Sequence, residues 1–316
     1  MFYIRNSNSV MRIILCFLIV LCTHQMSGQN LDWWDALHDY PNAAGTDRDR
    51  YVSISPGYMG PSALRIPVLR NGKIDNELWS ENTFEYHFGR GDNTINNWSE
   101  FNIPLAKDKA VLYVQSIAWE YWEVTDEIRD ERRMRSRSGI GWNTGDTSFG
   151  IILRLANEDK SRMPNITFRA HSKTTTGGNV TNARFTDGSM FFWEATVSKT
   201  IIKTDDSSLL LKGMIGFYTW QTNKNGLPNG SNFFQNDAGT YGVGIEWTKG
   251  KWFVGSDVSG YHGYIRNRDT PSAWRNQISY RVSKHIAFYT NFNVGLNSWG
   301  WQSVTIGYRH FFKTIE

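Results

Sequence analysis

The residues of this chain that could do chemistry recur at every second position along its length; they do not gather into one motif. In the stretch 164–174, Arg169, His171 and Lys173 alternate with Ile166, Phe168 and Ala170. Glu194 alternates with Trp193 and Ala195, and Glu246 with Ile245 and Trp247. Glu85, Glu120, Arg154, Asp257, Arg275 and Arg281 occupy comparable positions. Charges of both signs on one face of a sheet do one of two things. They lock into a structural network, or they tune the passage of small polar solutes. Isolated charges away from water are costly, so either use requires pairing. The spacing predicts an ion pair between Glu194 and Arg169 or Lys173, and an approach of Glu120 to Arg154.

Two further groups have chemical potential. Residues 127–137 (EIRDERRMRSR) hold Arg129, Arg132, Arg133, Arg135 and Arg137 among three acids. Guanidinium forks match phosphate oxygens, although pairs such as Glu131–Arg135 would also hold a solvated helical turn. The second group is Ser256, Ser259 and His262, where nucleophilic hydrolysis would need a serine within hydrogen-bond reach of its base. On a strand Ser259 and His262 diverge by parity, and Ser256 and His262 lie roughly 20 Å apart. A local dyad is excluded. Arg90-Gly91-Asp92 reads as a tight turn and not as a recognition tripeptide.

The elements that must position these side chains are strands. Twelve segments alternate with period two: approximately 81–90, 94–104, 109–122, 147–156, 164–174, 188–200, 207–220, 236–248, 250–262, 272–282, 284–295 and 300–312. Phe168, Trp193, Val243, Ile245, Phe288 and Phe292 fall on the apolar side. Longer connections (125–146, 175–187, 222–235, 264–271) alternate with short ones (106–109, 204–207, 248–251, 282–284). That asymmetry predicts an all-β, up-and-down antiparallel transmembrane β-barrel of about twelve strands over residues 80–316. A soluble β-sandwich has the same alternation but does not need this connection pattern.

Composition agrees. The 316 residues include 14 Trp, 14 Tyr and 18 Phe, while mean hydropathy is only −0.47. Rings at two membrane–water interfaces around a polar lumen account for both values. Residues 1–28 read as a Sec signal peptide: Arg12 precedes the apolar run 13–22, and a cleavage region ends near Gln29. Both cysteines, Cys16 and Cys22, lie in that segment, so a mature chain would hold neither a disulfide nor a thiolate metal site. Removing Arg5 and Arg12 changes the basic-to-acidic count from 34:30 to 32:30, which implies no nucleic-acid partner.

Residues 29–79 do not alternate, and Pro56, Pro61 and Pro67 fit an extended ribbon better than a paired strand. They are expected as an N-terminal periplasmic or plug-like segment. The last segment, Thr305-Ile306-Gly307-Tyr308-Arg309-His310-Phe311-Phe312, resembles the C-terminal assembly signal of Gram-negative outer-membrane β-barrel proteins. It departs from that signal at His310 and in the four residues that follow. The resemblance implies location in the outer membrane and a barrel-assembly machinery as partner. It also sets lipid and lipopolysaccharide phosphates against the arginine-rich connection. The expected function is a narrow channel or binding barrel for small polar solutes, monomeric and with no metal or cofactor. The alternatives are a lipid-directed esterase or deacylase, and a structural or partner-binding barrel of an envelope complex.

Overall fold

The computed structural model describes residues 31–38, 55–223, 233–263 and 269–314; the expected signal segment and cleavage region lie outside them. Thirteen strands follow in order: β1 Glu77–Phe88, β2 Asp92–Ala106, β3 Ala110–Val124, β4 Ile140–Asn143, β5 Thr147–Ala156, β6 Asn165–Lys173, β7 Met190–Lys203, β8 Ser207–Asn223, β9 Phe233–Lys249, β10 Trp252–Gly263, β11 Ser272–Arg281, β12 Ile286–Leu296 and β13 Gln302–Thr314. Two short helices, α1 (Asp32–Leu37) and α2 (Asp126–Glu131), lie outside the sheet. All pairings are antiparallel, and β1 joins β13 from Glu77↔Thr314 to Phe88↔Gln302, which closes the sheet. β4 and β5 lie end to end along β3, at Glu120↔Asn143 and Ala110↔Leu153. The strands therefore fill twelve positions around a closed barrel.

Period two decides which side of the wall a residue takes. Val243, Ile245, Phe288, Phe292 and Trp193 are exposed on the outside, Val243 by 60%, and Phe168 is half-buried there. Thr167, Arg169, Glu194, Thr196 and Ser198 are buried on the inside. A sandwich would have packed the first set between two sheets. Here they form an outer apolar wall of the kind that meets lipid.

The two rims differ. The basal rim carries the start of β1, the end of β13 and the connections 107–109, 157–164, 204–206, 250–251 and 282–285. The distal rim carries 89–91, the α2 connection, 174–189 and 297–301. Residues 89–91 turn with positive φ throughout (Gly89 135°, Arg90 51°, Gly91 71°). Asp92 beside them is fully buried, so no exposed tripeptide exists.

Residues 55–76 stay out of the wall and run through the lumen. At the distal rim the Gly57 carbonyl accepts from Arg90 (2.7 Å) and the Gly60 N–H donates to Ala183 (2.8 Å). At the basal rim Asn76 donates to Asp108 (2.9 Å), immediately before β1 begins. Helix α1 also lies distally, with Trp34 Nε1 donating to the Arg133 carbonyl at 3.0 Å. The described part of 29–79 is thus a lumenal ribbon with a distal helix.

The lumen as candidate functional site

Prolines in the ribbon remove N–H donors, but every residue keeps a carbonyl that needs a partner. One wall supplies the donors to four consecutive carbonyls. Arg275 on β11 donates to Ile66 (2.9 Å) and Pro67 (3.1 Å), and Ser259 on β10 donates to Pro67 (2.7 Å). Arg169 on β6 donates to Val68 (3.1 Å), and Lys212 on β8 to Leu69 (3.1 Å). Each cation has acids behind it. Arg169 pairs with Glu194, Lys212 with Glu246 (2.9 Å) and Asp257 (3.4 Å), and Arg275 approaches Asp257 at 3.8 Å.

The opposite wall holds the ribbon by its side chains. Arg65 reaches Glu85 on β1 at 2.7 Å and lies 3.9 Å over the Trp98 ring. Arg70 reaches Glu100 on β2 at 2.7 Å, and Gln115 donates to the other Glu100 oxygen at 2.6 Å. Neither charge could be buried alone, so each pair fixes where the ribbon sits along the axis.

The distal end is packed shut among the described residues. Asp92, Glu120, Arg132 and Arg184 are at most 2% exposed. Arg184 donates to Asp92 (3.1 Å), Glu120 (2.9 Å) and Thr94 (2.7 Å), and Arg132 pairs with Asp92. Met59, Ala63 and Leu64 of the ribbon pack against Phe192, Tyr218 and Tyr261. A Cβ at Gly60 would stand 2.5 Å from the Arg184 guanidinium carbon, so the close approach of ribbon and connection requires glycine there.

The basal side is open by comparison. A cavity of about 660 Å³ runs beside the ribbon, from Lys251 and Arg281 at the basal rim past Glu81, Gln277, Tyr289 and Arg309 to His87 and Trp299 towards the distal end. At the ribbon's foot, hydrogen bonds from Asn76 and Lys160 hold the Asp108 carboxyl below its usual range. Burial raises the neighbouring Glu158 carboxyl, but hydrogen bonds from Thr200 and Asn165, with Lys73 nearby, bring it down to about 2.

The sequence-predicted residues fall into distinct places. Arg169, Glu194, Glu246 and Arg275 meet around the ribbon, as described. His171 instead stacks on Phe192 (4.1 Å) with its edge to Tyr113 (6.0 Å). Arg281 pairs with Glu77 (2.7 Å) at the basal rim, over the Phe311 ring. Of the two expected approaches, that of Glu194 to Arg169 or Lys173 is made through Arg169, and that of Glu120 to Arg154 is corrected. Lys173 pairs with Asp146 and not with Glu194, because the register sets Lys173 opposite Met190 and Arg169 opposite Glu194. Glu120 binds Arg184, while Arg154 lies 3.4 Å from Asp108. β3 and β5 run in opposite directions, so Glu120 is distal and Arg154 basal.

The arginine-rich connection also divides. Arg132 is buried in the distal network, which removes it as a lipid-phosphate contact. Arg129 is bound to Asp126 (2.6 Å) and Asp130 (2.7 Å). Arg135 is half-buried, and Arg133 and Arg137 are exposed. Ser259 faces the lumen while His262 is exposed outside, so these two do not meet. Arg65, Arg70, Arg184, Lys212 and Arg309 were not anticipated. Parity could have found Lys212, which alternates with outward Leu211 and Ile215, and Arg309, between Tyr308 and His310. The ribbon arginines and Arg184 carry no periodic signal.

No protein-family model and no curated sequence matches the chain. Its fold is similar to solved barrels. The NanC porin is 8% identical (TM-score 0.49; 74% of this chain, 100% of that one). The KdgM porin is 10% identical (TM-score 0.42; 74% and 99%). The COG4313 outer membrane channel from Pseudomonas putida F1 is 11% identical (TM-score 0.46; 82% and 100%). These likenesses go no further than fold, and the strand pairing by itself makes the chain a closed antiparallel barrel of twelve positions.

Proposed function

We propose that this protein is an integral outer-membrane barrel for small polar solutes, held closed to through-passage by its own lumenal ribbon. One observation carries the reading: an apolar outer wall encloses a charged lumen in which the occupying segment is gripped by discrete polar contacts. Such contacts exchange for water or solute more readily than a strand leaves a sheet. The cavity beside the ribbon is then a vestibule for the solute, entered from the basal rim, and the distal network is the closed end. Exposed Arg133 and Arg137 suit the phosphates of outer-leaflet lipid.

Conductance in planar bilayers tests this. Wild-type protein should show little steady current. The Arg65→Ala/Arg70→Ala variant should conduct, because its ribbon has lost both contacts to Glu85 and Glu100. Wild-type currents of open-porin size would refute the closed state. A folded double variant that stays silent would mark the lumen as a structural core.

A further inference from the structure

The ribbon crosses the barrel before the first strand is made, and it does so in one direction. Residue 57 is at the distal rim, against Arg90 and Ser298. Residue 76 is at the basal rim, against Asp108. Twenty residues can span at most roughly 65–70 Å when extended, and a twelve-residue strand such as β1 spans roughly 40 Å. The segment is therefore long enough to pass from rim to rim with a turn to spare. Register fixes its course at intermediate heights, through Arg65–Glu85, Arg70–Glu100 and Lys73–Glu158. The heights fall in that order: Glu85 is near the distal end of β1, and Glu158 is in the basal connection 157–164.

The described residues on the amino side of the ribbon, 31–38, lie at the distal rim, at the opposite end of the barrel from the start of β1 and the end of β13. Helix α1 is found there. Trp34 is buried against the α2 connection, with the Arg135 guanidinium 5.9 Å from its ring, and Arg129 lies 5.5 Å over Trp33. Asp32, Ala36 and Leu37 face outward, Leu37 with 51% exposure.

We propose that the barrel presents its amino-terminal side, α1 included, on the outer surface of the cell, while its carboxyl end stays in the periplasm. The ribbon is the tether that carries that end across the membrane. The surface so formed comprises α1 and the α2 connection. The inference rests on the outer-membrane reading above, but the test separates the two.

With Cys16 and Cys22 replaced by Ser the chain holds no other cysteine, so single cysteines report cleanly. Ala36→Cys probes α1. Gly178→Cys, in open space in the distal connection 174–189, and Asp205→Cys, in the basal connection 204–206, are the references. Cells producing each variant are treated with a membrane-impermeant maleimide, before and after outer-membrane permeabilisation. The expected result is that Ala36→Cys and Gly178→Cys label in intact cells and Asp205→Cys only after permeabilisation. If Gly178→Cys and Asp205→Cys separate in this way but Ala36→Cys follows Asp205→Cys, presentation is refuted and the barrel reading stands. If Asp205→Cys labels in intact cells and Gly178→Cys does not, the barrel is inserted the other way and presentation is again refuted. If permeabilisation changes neither reference, the membrane reading itself fails, and presentation with it.

Discussion

Glu194→Ala should weaken one of the contacts by which the wall grips the ribbon. Arg169 and Glu194 face each other in register on β6 and β7, with exposures of 7% and 1%. Without the carboxylate, Arg169 keeps only the Val68 carbonyl, at 3.1 Å. Removing one member of a buried ion pair costs about 3–5 kcal/mol. Arg169 also lines the cavity beside the ribbon, and water there can solvate the stranded charge. The expected loss is therefore about 2–3 kcal/mol. Arg169→Met should cost more, because Glu194 lies deeper and Val68 loses its donor as well. The double variant Arg169→Met/Glu194→Leu leaves no charge and one unpaired carbonyl, a loss of about 1–2 kcal/mol. Urea unfolding followed by tryptophan fluorescence should return a coupling energy of at least about 2 kcal/mol. A coupling below about 0.5 kcal/mol would show that water screens the pair and that this grip on the ribbon is nominal. In a conducting variant, Glu194→Gln should also shift selectivity towards anions by removing a fixed negative charge. A packed core would lose stability with no such shift.

Other consequences are equally direct. Gly60→Ala should displace the Arg184 guanidinium from Asp92 and Glu120 and cost about 3 kcal/mol, read as a lower unfolding midpoint; an unchanged midpoint would refute the distal closure. Val243→Arg places a charge on the outer wall and should cost about 2–4 kcal/mol near the membrane midplane, whereas a water-facing wall would tolerate it. Asp108 and Glu158 both have folded pKa values below their unfolded ones. Their contributions are complete above the ordinary carboxylate range and fade as pH falls from about 4.5 towards 2. Protection of the amides of residues 73–76, taken as the exchange rate relative to the intrinsic rate at each pH, should fall over that window and be flat from pH 6 to 8; a loss of protection on the alkaline side would contradict the sign.

Much of the barrel was legible because lipid on one side and a lumen on the other force a strict two-residue period. Trp193, Val243 and Phe288 announced their side of the wall from sequence alone, and so did Arg169 and Glu194. Pairing between charges was less legible, since parity gives the side of the wall but not the height along it. Glu120 shares the lumen with Arg154, the partner expected for it, and still misses it by most of the length of a strand. The ribbon was legible as an exception to the pattern, through its prolines, but its direction was not. Nothing local in Arg65 or Arg70 states which carboxylate waits across the lumen. Arg184 sits in an irregular connection, where no periodicity exists to betray a buried charge.

The two walls interrogate the ribbon in different languages, and this bears on how its sequence can drift. β6 to β11 address the carbonyls of residues 66–69, and every amino acid supplies a carbonyl. Substitutions in that interval leave this grip intact as long as the backbone stays extended. β1 and β2 address Arg65 and Arg70 by name, and the five-residue spacing between them measures the distance from Glu85 to Glu100. A single inserted residue between 65 and 70 would therefore disturb the fit more than several exchanges among 66–69. Descendants of this chain should vary in the letters of that interval and keep its count.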